Sequence, residues 1–263
     1  MLSITDLRAP WQAEQTLPIV FNHGIGTNRH VWSGWLPHVA ARHRCIAYDL
    51  RGYGEAPRPA ADAPWRLDDL VADLIGQLDR LAIARAHLVG ESVGGTIALA
   101  AAIRHPDRVA SVAMSNAGYR GGSITNVAAW RQVFARDGVA AWNQSMMQRR
   151  FGDDYANDPA LDQAALAWFS QVQGASDPDV TAGIGEMLVA VDLSDGLRQL
   201  AAPLLVLLPD ASPFVPLSTG AEIKALQPRA EIRVFPGLRH GLLFIRPAEC
   251  AAELLAFYRR WGF

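Results

Sequence analysis

The chain has 263 residues, of which 50% are hydrophobic, so one domain can bury a sizeable core. It carries 24 Lys and Arg against 26 Asp and Glu, and a net charge of -2 gives no electrostatic reason to expect nucleic acid or an acidic membrane as a partner. Cys45 and Cys250 are too few for a disulfide framework, and we expect both to be reduced core residues. We expect a cytoplasmic protein, because the sequence shows no signal-peptide pattern and no apolar run long enough for a membrane helix.

Apolar runs and helical patterns alternate along the first half of the chain. Strands are predicted at residues 2–7, 17–21, 44–48, 86–89 and 109–114, and helices at residues 31–42, 67–81 and 93–104. The helix that begins at Leu67 is the clearest of these, since its apolar residues recur at spacings of three and four. Alternation of buried strands with helices predicts an α/β fold, with a mostly parallel central sheet and helices on both faces.

The alternation stops between residues 117 and 200. Only helical patches occur there, at residues 127–134, 139–147, 161–172 and 181–190. The sheet then resumes, with strands predicted at 203–208 and 231–235 and helices at 216–226 and 247–261. The sequence therefore predicts a core built from residues 1–116 and 201–263, with residues 117–200 forming a helical cap insertion.

Large apolar side chains are concentrated in this predicted cap. Most of them are expected to be ordinary core residues of the helices. A helical lid must also present some apolar surface to the ligand edge of the sheet, so a few should line a pocket. The residues predicted to bind substrate in this way are Trp130, Trp142, Met146 and Trp168. Three cap arginines could meet a substrate carboxylate, but a solvated helix face is the expected place for each: Arg131, Arg149 and Arg150.

The segment Gly90-Glu91-Ser92-Val93-Gly94 joins a predicted strand to an Ala-rich predicted helix. Glycines two residues before and two residues after Ser92 leave room for a strained turn that exposes the serine hydroxyl, and the helix that begins there presents unpaired N–H groups. The pattern is Gly-x-Ser-x-Gly, the nucleophile elbow. A glycine-rich strand-to-helix turn can be purely structural, but this context favours a nucleophilic serine.

His240 is the best candidate for the base that such a serine needs. A serine hydroxyl is a poor nucleophile at neutral pH, so it requires an adjacent base, and the base requires an orienting partner. His240 stands downstream of Ser92, in a short loop between a predicted strand and the last predicted helix. His23 directly follows another strand and precedes Gly24, so we expect it to shape that loop and not to titrate during the reaction.

Backbone N–H groups are expected to form the oxyanion hole, because they are in place before negative charge develops on the substrate oxygen. Val93, directly after the nucleophile, supplies one donor at the start of the helix. Ile25, in the loop after His23-Gly24, is the expected second donor.

Four motifs in this order resemble the α/β-hydrolase superfamily over nearly the whole chain. They are His23-Gly24, the segment 49–54 (Asp-Leu-Arg-Gly-Tyr-Gly), the elbow at 90–94, and the segment 237–240 (Gly-Leu-Arg-His). Within the superfamily, segments 24–32, 115–117, 150–151 and 192–195 resemble the 3-oxoadipate enol-lactone hydrolase and carboxylesterase subgroup. The resemblance implies an α/β-hydrolase fold, with the order serine, acid, histidine in a catalytic triad.

The acid behind His240 is where this sequence departs from the superfamily. The loop after the strand at 203–208 usually reads Gly-x-x-Asp-Pro, and here residues 209–213 read Pro-Asp-Ala-Ser-Pro, with Ser212 at the aspartate position. Two residues of extended chain span roughly 7 Å, so Asp210 can replace that aspartate only if the loop bends. With such a bend, Asp210 is predicted to be the acid. The alternatives left open are Asn116, Asp192, Asp195 and no carboxylate at all. Asn116 would orient without charge, and the two aspartates are better explained by helix capping and ion pairing.

The sequence thus predicts a serine hydrolase that needs no metal or other cofactor. It would cleave a small, largely apolar carboxylic ester or lactone through an acyl-enzyme on Ser92, and this small molecule is the one partner expected. The alternatives are carbon–carbon bond hydrolysis or acyl transfer at the same site, or a ligand-binding homologue without turnover. The exact substrate and the oligomeric state are left open.

Overall fold

The fold is given by a computed structural model that describes residues 3–13, 15–60, 63–121, 127 and 129–263. Its strands are β1 (Ile4–Leu7), β2 (Ile19–Asn22), β3 (Cys45–Tyr48), β4 (Ala86–Glu91), β5 (Val109–Ser115), β6 (Leu204–Pro209) and β7 (Glu231–Phe235). In the described residues they form one seven-stranded sheet in the order β1-β3-β2-β4-β5-β6-β7. β1 is antiparallel to β3, and every other neighbouring pair is parallel. The prediction of a mostly parallel sheet is confirmed.

The central strands are apolar runs because both of their faces are covered. Every residue of β2, β3, β4, β5 and β6 is buried, whereas the edge strands β1 and β7 include partly exposed positions. Successive side chains point to opposite faces of the sheet. Val20 and Leu88 accordingly belong to one core layer, and Phe21 and Val89 to the other.

Helices cover both faces of this sheet. They are α1 (Leu36–Val39), α2 (Leu67–Arg80), α3 (Val93–Arg104), α4 (Trp130–Phe151), α5 (Gln163–Gly174), α6 (Pro178–Val189), α7 (Ser194–Arg198), α8 (Ser218–Leu226), α9 (Leu242–Ile245) and α10 (Pro247–Trp261), with a short 3₁₀ helix at Arg29–Gly34. The buried apolar residues of α2 and α3 belong to one core layer, and those of α1 and α10 to the other. In the described part of the chain, no helix is both long and apolar enough to cross a membrane.

One predicted helix differs in the structure, and two predicted helical patches meet at a kink. The single helix predicted at residues 31–42 is instead the 3₁₀ helix followed by the four residues of α1. The patches predicted at 127–134 and 139–147 correspond to the two helical segments of α4, which meet at a kink at Gly138, where φ is 77°. Glycine adopts this positive φ without strain, so the chain changes direction and continues. Residues 2 and 128 of the predicted elements lie outside the described residues.

Helices α4 to α7 lie between β5 and β6 in the chain, within the segment predicted to be a cap. Trp130 and Met146 of α4 and Leu188 of α6 share a pocket wall with Ser92, which directly follows β4. The helices α4 and α6 therefore lie over the carboxyl ends of the parallel strands, where ligands bind in sheets of this kind.

Candidate active site

Ser92 lies on a sharp turn between β4 and α3. Its φ of 53° and ψ of -123° are rare for a residue with a side chain, and such strain costs on the order of 1–3 kcal/mol and occurs mainly at functional sites. Its N–H donates to the carbonyl oxygen of Ser115 at 2.9 Å, which ties the turn to β5. A Cβ at Gly90 would lie 2.3 Å from the Gly94 carbonyl oxygen, and one at Gly94 would lie 2.2 Å from that of Asn22. The tight turn therefore requires both glycines.

A narrow, mostly apolar pocket opens beside Ser92. Its empty volume is about 410 Å³, counted with its mouth. Its walls carry the polar or charged side chains of Ser92, Thr96, Asn116, Arg150 and His240, and otherwise Ile25, Val93, Gly118, Val127, Trp130, Met146, Leu188, Phe214 and Val215. Most of this lining is apolar, and the Thr96 hydroxyl is already used, since it donates to the Gly118 carbonyl oxygen at 2.8 Å. The pocket suits a small apolar group.

His240 lies on the wall of the same pocket and is only 3% exposed. Its loop is held on two sides: Asn116 Nδ2 donates to the His240 carbonyl oxygen at 2.8 Å, and the Gly241 N–H donates to the Arg150 carbonyl oxygen at 2.9 Å. Burial lowers the pKa of His240 well below 6.5, and the positive charge of Arg150 acts in the same direction. The imidazole is therefore neutral near pH 7, as a general base must be.

The side chain that contacts Nδ1 of His240 is a serine and not a carboxylate. Ser212 Oγ lies 3.1 Å from His240 Nδ1. The same oxygen accepts long hydrogen bonds from the N–H groups of Phe214 and Val215, at 3.4 and 3.3 Å. No carboxylate bonds to His240 in the part of the chain that the structure describes. The position at which the superfamily pattern has aspartate is thus occupied by a neutral hydroxyl.

Asp210, predicted to be the acid, does not contact His240. Its side chain is exposed, and Oδ1 accepts from the Gly237 N–H at 2.8 Å, so it caps the turn after β7. This corrects the sequence prediction: the loop does not bend back, because this backbone donor holds the Asp210 carboxylate at the surface.

The other candidate acids have structural contacts of their own. Asp192 Oδ1 accepts from the Ser194 N–H at 2.9 Å at the start of α7, and Asp195 pairs with Arg198 at 2.7 Å. Asn116 holds the His240 backbone through its Nδ2, so it positions the loop of the histidine and does not touch the ring nitrogens.

Two backbone N–H groups at the wall of the pocket, among the described residues, are left without an acceptor. Val93 is the first residue of α3, and its N–H has no intrahelical acceptor. In the described part of the chain, no acceptor bonds to the N–H of Val93 or of Ile25, and both residues line the pocket. The two predicted oxyanion donors are therefore brought to one wall beside Ser92.

The peptide that carries the Ile25 N–H is held from its other side. The Gly24 carbonyl oxygen, on the same peptide, accepts from His23 Nδ1 at 2.8 Å and from Thr27 Oγ1 at 3.0 Å. His23 Nε2 accepts from the Leu50 N–H at 2.9 Å, so the proton of this neutral ring lies on Nδ1. Burial lowers the pKa of His23 to about 4, which keeps it in this form. His23 thus orients the donor peptide.

Of the four cap residues predicted to bind substrate, only Trp130 and Met146 line the pocket. Trp142 packs behind Trp130, with ring centroids 5.5 Å apart. Trp168 stacks on Phe244 at 6.0 Å and borders a separate surface groove. The prediction that Trp142 and Trp168 bind substrate is therefore corrected: in this structure both are packing residues.

Arg150 was expected on a solvated helix face, yet its side chain is only 2% exposed. It pairs with Glu91, and burial raises the pKa of the Glu91 carboxyl and lowers that of the guanidinium, while their mutual attraction opposes both shifts. Arg131 does lie at the surface, where it pairs with Glu186 at 2.8 Å. Arg149 is half-buried, with its guanidinium carbon 6.0 Å from the Phe214 ring centroid.

Sequence reasoning missed Thr96, Phe214, Val215 and Leu188 as lining residues. Phe214 and Val215 directly follow residues 209–213, the loop in which the acid was expected. This position in the sequence was the signal that could have predicted them as lining residues. Among the described residues, no cluster of His, Cys, Asp or Glu side chains has the arrangement of a metal site.

Comparison with known proteins places these features in a family context. A family model described as the alpha/beta hydrolase fold matches residues 18–247. The chain is 31% identical over 236 residues to the 2-hydroxymuconate semialdehyde hydrolase of Pseudomonas sp. strain CF600, covering 85% of this chain and 80% of that protein. It is 27% identical over 202 residues to 3-oxoadipate enol-lactonase 2 of Acinetobacter baylyi, covering 77% and 74%. Among solved structures, the enol-lactonase from Burkholderia xenovorans LB400 superposes with a TM-score of 0.88 at 26% identity, covering 98% of this chain and 96% of that one.

Proposed function

This chain belongs to the α/β-hydrolase fold family and is an enzyme of the hydrolase type, and on that premise we propose that it cleaves small, largely apolar carboxylic esters or lactones through an acyl-enzyme on Ser92. Its membership confirms the resemblance drawn from the motifs. The observation that carries the proposal is the shared pocket wall of Ser92, on its strained turn, and His240, buried and neutral.

In the proposed reaction, neutral His240 accepts the proton of the Ser92 hydroxyl as the oxygen attacks the carbonyl carbon of the substrate. The carbonyl oxygen becomes an oxyanion and accepts from the N–H groups of Val93 and Ile25. His240 then gives its proton to the leaving alkoxide, which departs as the acyl-enzyme forms. A water molecule activated by His240 hydrolyses this ester and releases the acid.

Base catalysis requires the resting proton of His240 on Nδ1, so that Nε2 is free to accept. In that tautomer Nδ1 donates to Ser212 Oγ across the 3.1 Å contact. A hydroxyl can accept or donate, whereas a carboxylate only accepts. Ser212 therefore orients the ring but selects the productive tautomer less strictly than an aspartate would, and it adds no charge to stabilise the imidazolium. We propose that this limits the enzyme to esters and lactones that need modest activation.

The lining of the pocket supports a neutral substrate. Arg150 is a charged side chain in the lining, and burial lowers its pKa while the Glu91 carboxylate opposes that shift. Its three nitrogens donate to Glu91, Ile25 and Gln173. The positive charge of Arg150 is thus balanced by groups within the protein, and its donors are already used. The pocket therefore offers no unpaired cation from Arg150 to a substrate carboxylate. We propose esters and lactones with uncharged, short acyl groups as substrates, in contrast to the 3-oxoadipate enol-lactone in the name of one relative, which keeps a free carboxylate.

A second candidate is hydrolysis of a carbon–carbon bond, which the 31% identity to the 2-hydroxymuconate semialdehyde hydrolase of Pseudomonas favours. The same serine, base and oxyanion donors would serve it. Product identification after incubation with a β-diketone panel separates this reaction from ester cleavage, since carbon–carbon cleavage releases a ketone together with the acid.

The test of the proposed function is covalent labelling combined with a substrate panel. Incubation with a fluorophosphonate and peptide mapping should place the label on Ser92, and Ser92→Ala should take up none. Short acyl esters and lactones should be turned over, and matched substrates carrying a carboxylate on the acyl group should be poorer. Absence of label on Ser92 together with absence of turnover would favour a ligand-binding role.

A further inference from the structure

The Arg150 side chain joins three segments that meet at the active site. Its Nη2 donates to the Ile25 carbonyl oxygen at 2.8 Å, its Nη1 to Glu91 Oε1 at 3.2 Å, and its Nε to Gln173 Oε1 at 3.0 Å. These partners lie in the loop at residues 23–28, which carries the Ile25 N–H and is called the oxyanion loop below, at the end of β4, and in α5. One buried guanidinium therefore connects the cap helices α4 and α5 with two elements of the core.

The contact with Ile25 completes the support of the oxyanion donor. The peptide before the Ile25 Cα is held through the Gly24 carbonyl oxygen by His23 and Thr27. The peptide after it is held through the Ile25 carbonyl oxygen by Arg150. With both flanking peptides held, the direction of the Ile25 N–H is determined. Donors held before charge develops stabilise an oxyanion without reorganisation.

The contact with Glu91 supports the other side of the site. Glu91 immediately precedes Ser92, and its side chain is only 6% exposed. Its Oε2 lies against the oxyanion loop: a Cβ at Gly24 would be 2.4 Å from this oxygen and 3.2 Å from the Ser92 Cβ. The Glu91 carboxylate thus balances the charge of Arg150 and fills the space between the nucleophile turn and the oxyanion loop.

The network continues into the cap. Gln173 Nε2 donates to Asn143 Oδ1 at 2.6 Å, and Asn143 Nδ2 donates to the Ser170 carbonyl oxygen at 3.1 Å. These contacts fasten α4 to α5 through the same Gln173 side chain that accepts from Arg150. The position of the cap is thereby linked to the position of the oxyanion donor.

We propose that Arg150, with Glu91 as its counter-ion, is a positioning residue that holds the Ile25 oxyanion donor and the Ser92 turn in register. It acts on the stability of the transition state through Ile25 and Ser92, and it does not bind the substrate. The inference rests on the proposed function, because it assigns a role within that reaction.

The test uses Arg150→Met, Arg150→Lys and Glu91→Gln, with Arg136→Met as the matched control on the exposed part of the same helix. Wild-type turnover of a neutral short-acyl ester is measured first, and its absence would count against the proposed function instead of this inference. In Arg150→Met, kcat should fall about 10- to 100-fold while KM changes by less than about threefold. Arg150→Lys should recover part of the loss, and Arg136→Met should behave as wild type.

A second readout separates positioning from general damage. A trifluoromethyl ketone forms an oxyanion-bearing adduct with a serine, so its affinity should fall in parallel with kcat/KM across the variants. Circular dichroism identifies folded variants, and if Arg150→Met does not fold, Arg150→Lys and Glu91→Gln decide the question. Folded variants with wild-type kcat and wild-type inhibitor affinity would overturn the inference. So would a loss confined to KM, since that is the behaviour of a substrate-binding arginine.

Discussion

His240 Nδ1 lies 3.1 Å from Ser212 Oγ, so the histidine that we propose as the base contacts a neutral hydroxyl. The nearby charge that acts on His240 is the positive one of Arg150, and it lowers the pKa in the same direction as burial. A carboxylate at the same place would act in the opposite direction. The electrostatic setting of His240 therefore differs from that of a triad with an acid.

The pH profile should show this difference. A base acts only when neutral, and the pKa of His240 is lowered well below 6.5, so kcat/KM for a neutral ester should hold its plateau to well below pH 6.5. Initial rates from about pH 4.5 to about pH 9 measure it, with circular dichroism at each pH to identify any unfolding. A half-maximal rate at or above pH 6.5 in folded protein would contradict the electrostatic setting described for His240.

Ser212→Asp should change both the rate and the profile. The new carboxylate accepts the Nδ1 proton, favours the productive tautomer and stabilises the imidazolium, so kcat/KM at about pH 8 should rise about tenfold. The acid limb should move to higher pH, because the negative charge raises the pKa of His240.

Asp210→Asn is the matched control for this loop. The introduced amide keeps an acceptor for the Gly237 N–H, so kcat/KM should stay within about twofold of wild type. A large loss of activity in this variant, together with no gain in Ser212→Asp, would return Asp210 to the triad and remove Ser212 from it.

Arg150 and Glu91 form a buried ion pair, so the effects of replacing them on the free energy of unfolding should not be additive. Removing one partner leaves the other charge buried without compensation, at a cost of about 3–5 kcal/mol, whereas removing both leaves no such charge. The free energies of unfolding of Arg150→Met, Glu91→Gln and the double variant, measured with urea, form a double-mutant cycle. The double variant should lose clearly less than the sum of the single losses. Simple additivity would show that the two charges do not act as a pair.

His87 should make the fold sensitive to acid. It is 1% exposed, its Nδ1 lies 2.8 Å from Ser111 Oγ, and its ring centroid lies 4.3 Å from that of Tyr258. Burial, with the nearby His43 and Arg85, lowers its pKa to about 3. The folded state thus requires neutral His87, so its contribution is complete above about pH 6.5 and is lost by about 1.4 kcal/mol per unit as the pH falls from 6.5 toward 3.

The measurement for His87 is urea unfolding at about pH 7 and about pH 5. In His87→Phe the difference in unfolding free energy between the two pH values should be smaller than in wild type by about 2 kcal/mol. The remaining dependence includes His43, whose pKa burial also lowers. His38→Gln, at an exposed position, should keep the wild-type difference. An unchanged difference in His87→Phe would show that His87 is already charged in the folded protein at the lower pH.

The strands and the elbow were predictable because their signals are local. A buried parallel strand is a continuous apolar run, as at β6, and the run predicted at 231–235 coincides with β7. The order of the glycine loops and of Ser92 and His240 then indicated the fold family. Both features can be read within windows of a few residues.

The role of Arg150 could not be predicted in this way. An arginine in the last turn of a helix normally faces solvent, and its partners Glu91 and Ile25 are 59 and 125 residues away in sequence. Trp142 and Trp168 show the related limit for apolar residues. Helical periodicity identifies an apolar face, but it does not tell whether that face meets a pocket or another helix. The serine in place of the acid was visible in the sequence, whereas the exposed position of Asp210 depends on its bond to Gly237 across 27 residues.

The most direct test is to trap the acyl-enzyme. A slowly hydrolysed neutral short-acyl ester is mixed with the enzyme, the reaction is quenched in acid, and intact mass and peptide mapping follow. We expect the mass of one acyl group on the peptide that contains Ser92, appearing within the first turnover and declining as substrate is consumed, and none in Ser92→Ala. Steady turnover with no adduct on Ser92, undiminished in Ser92→Ala, would contradict the assignment of Ser92 as the nucleophile.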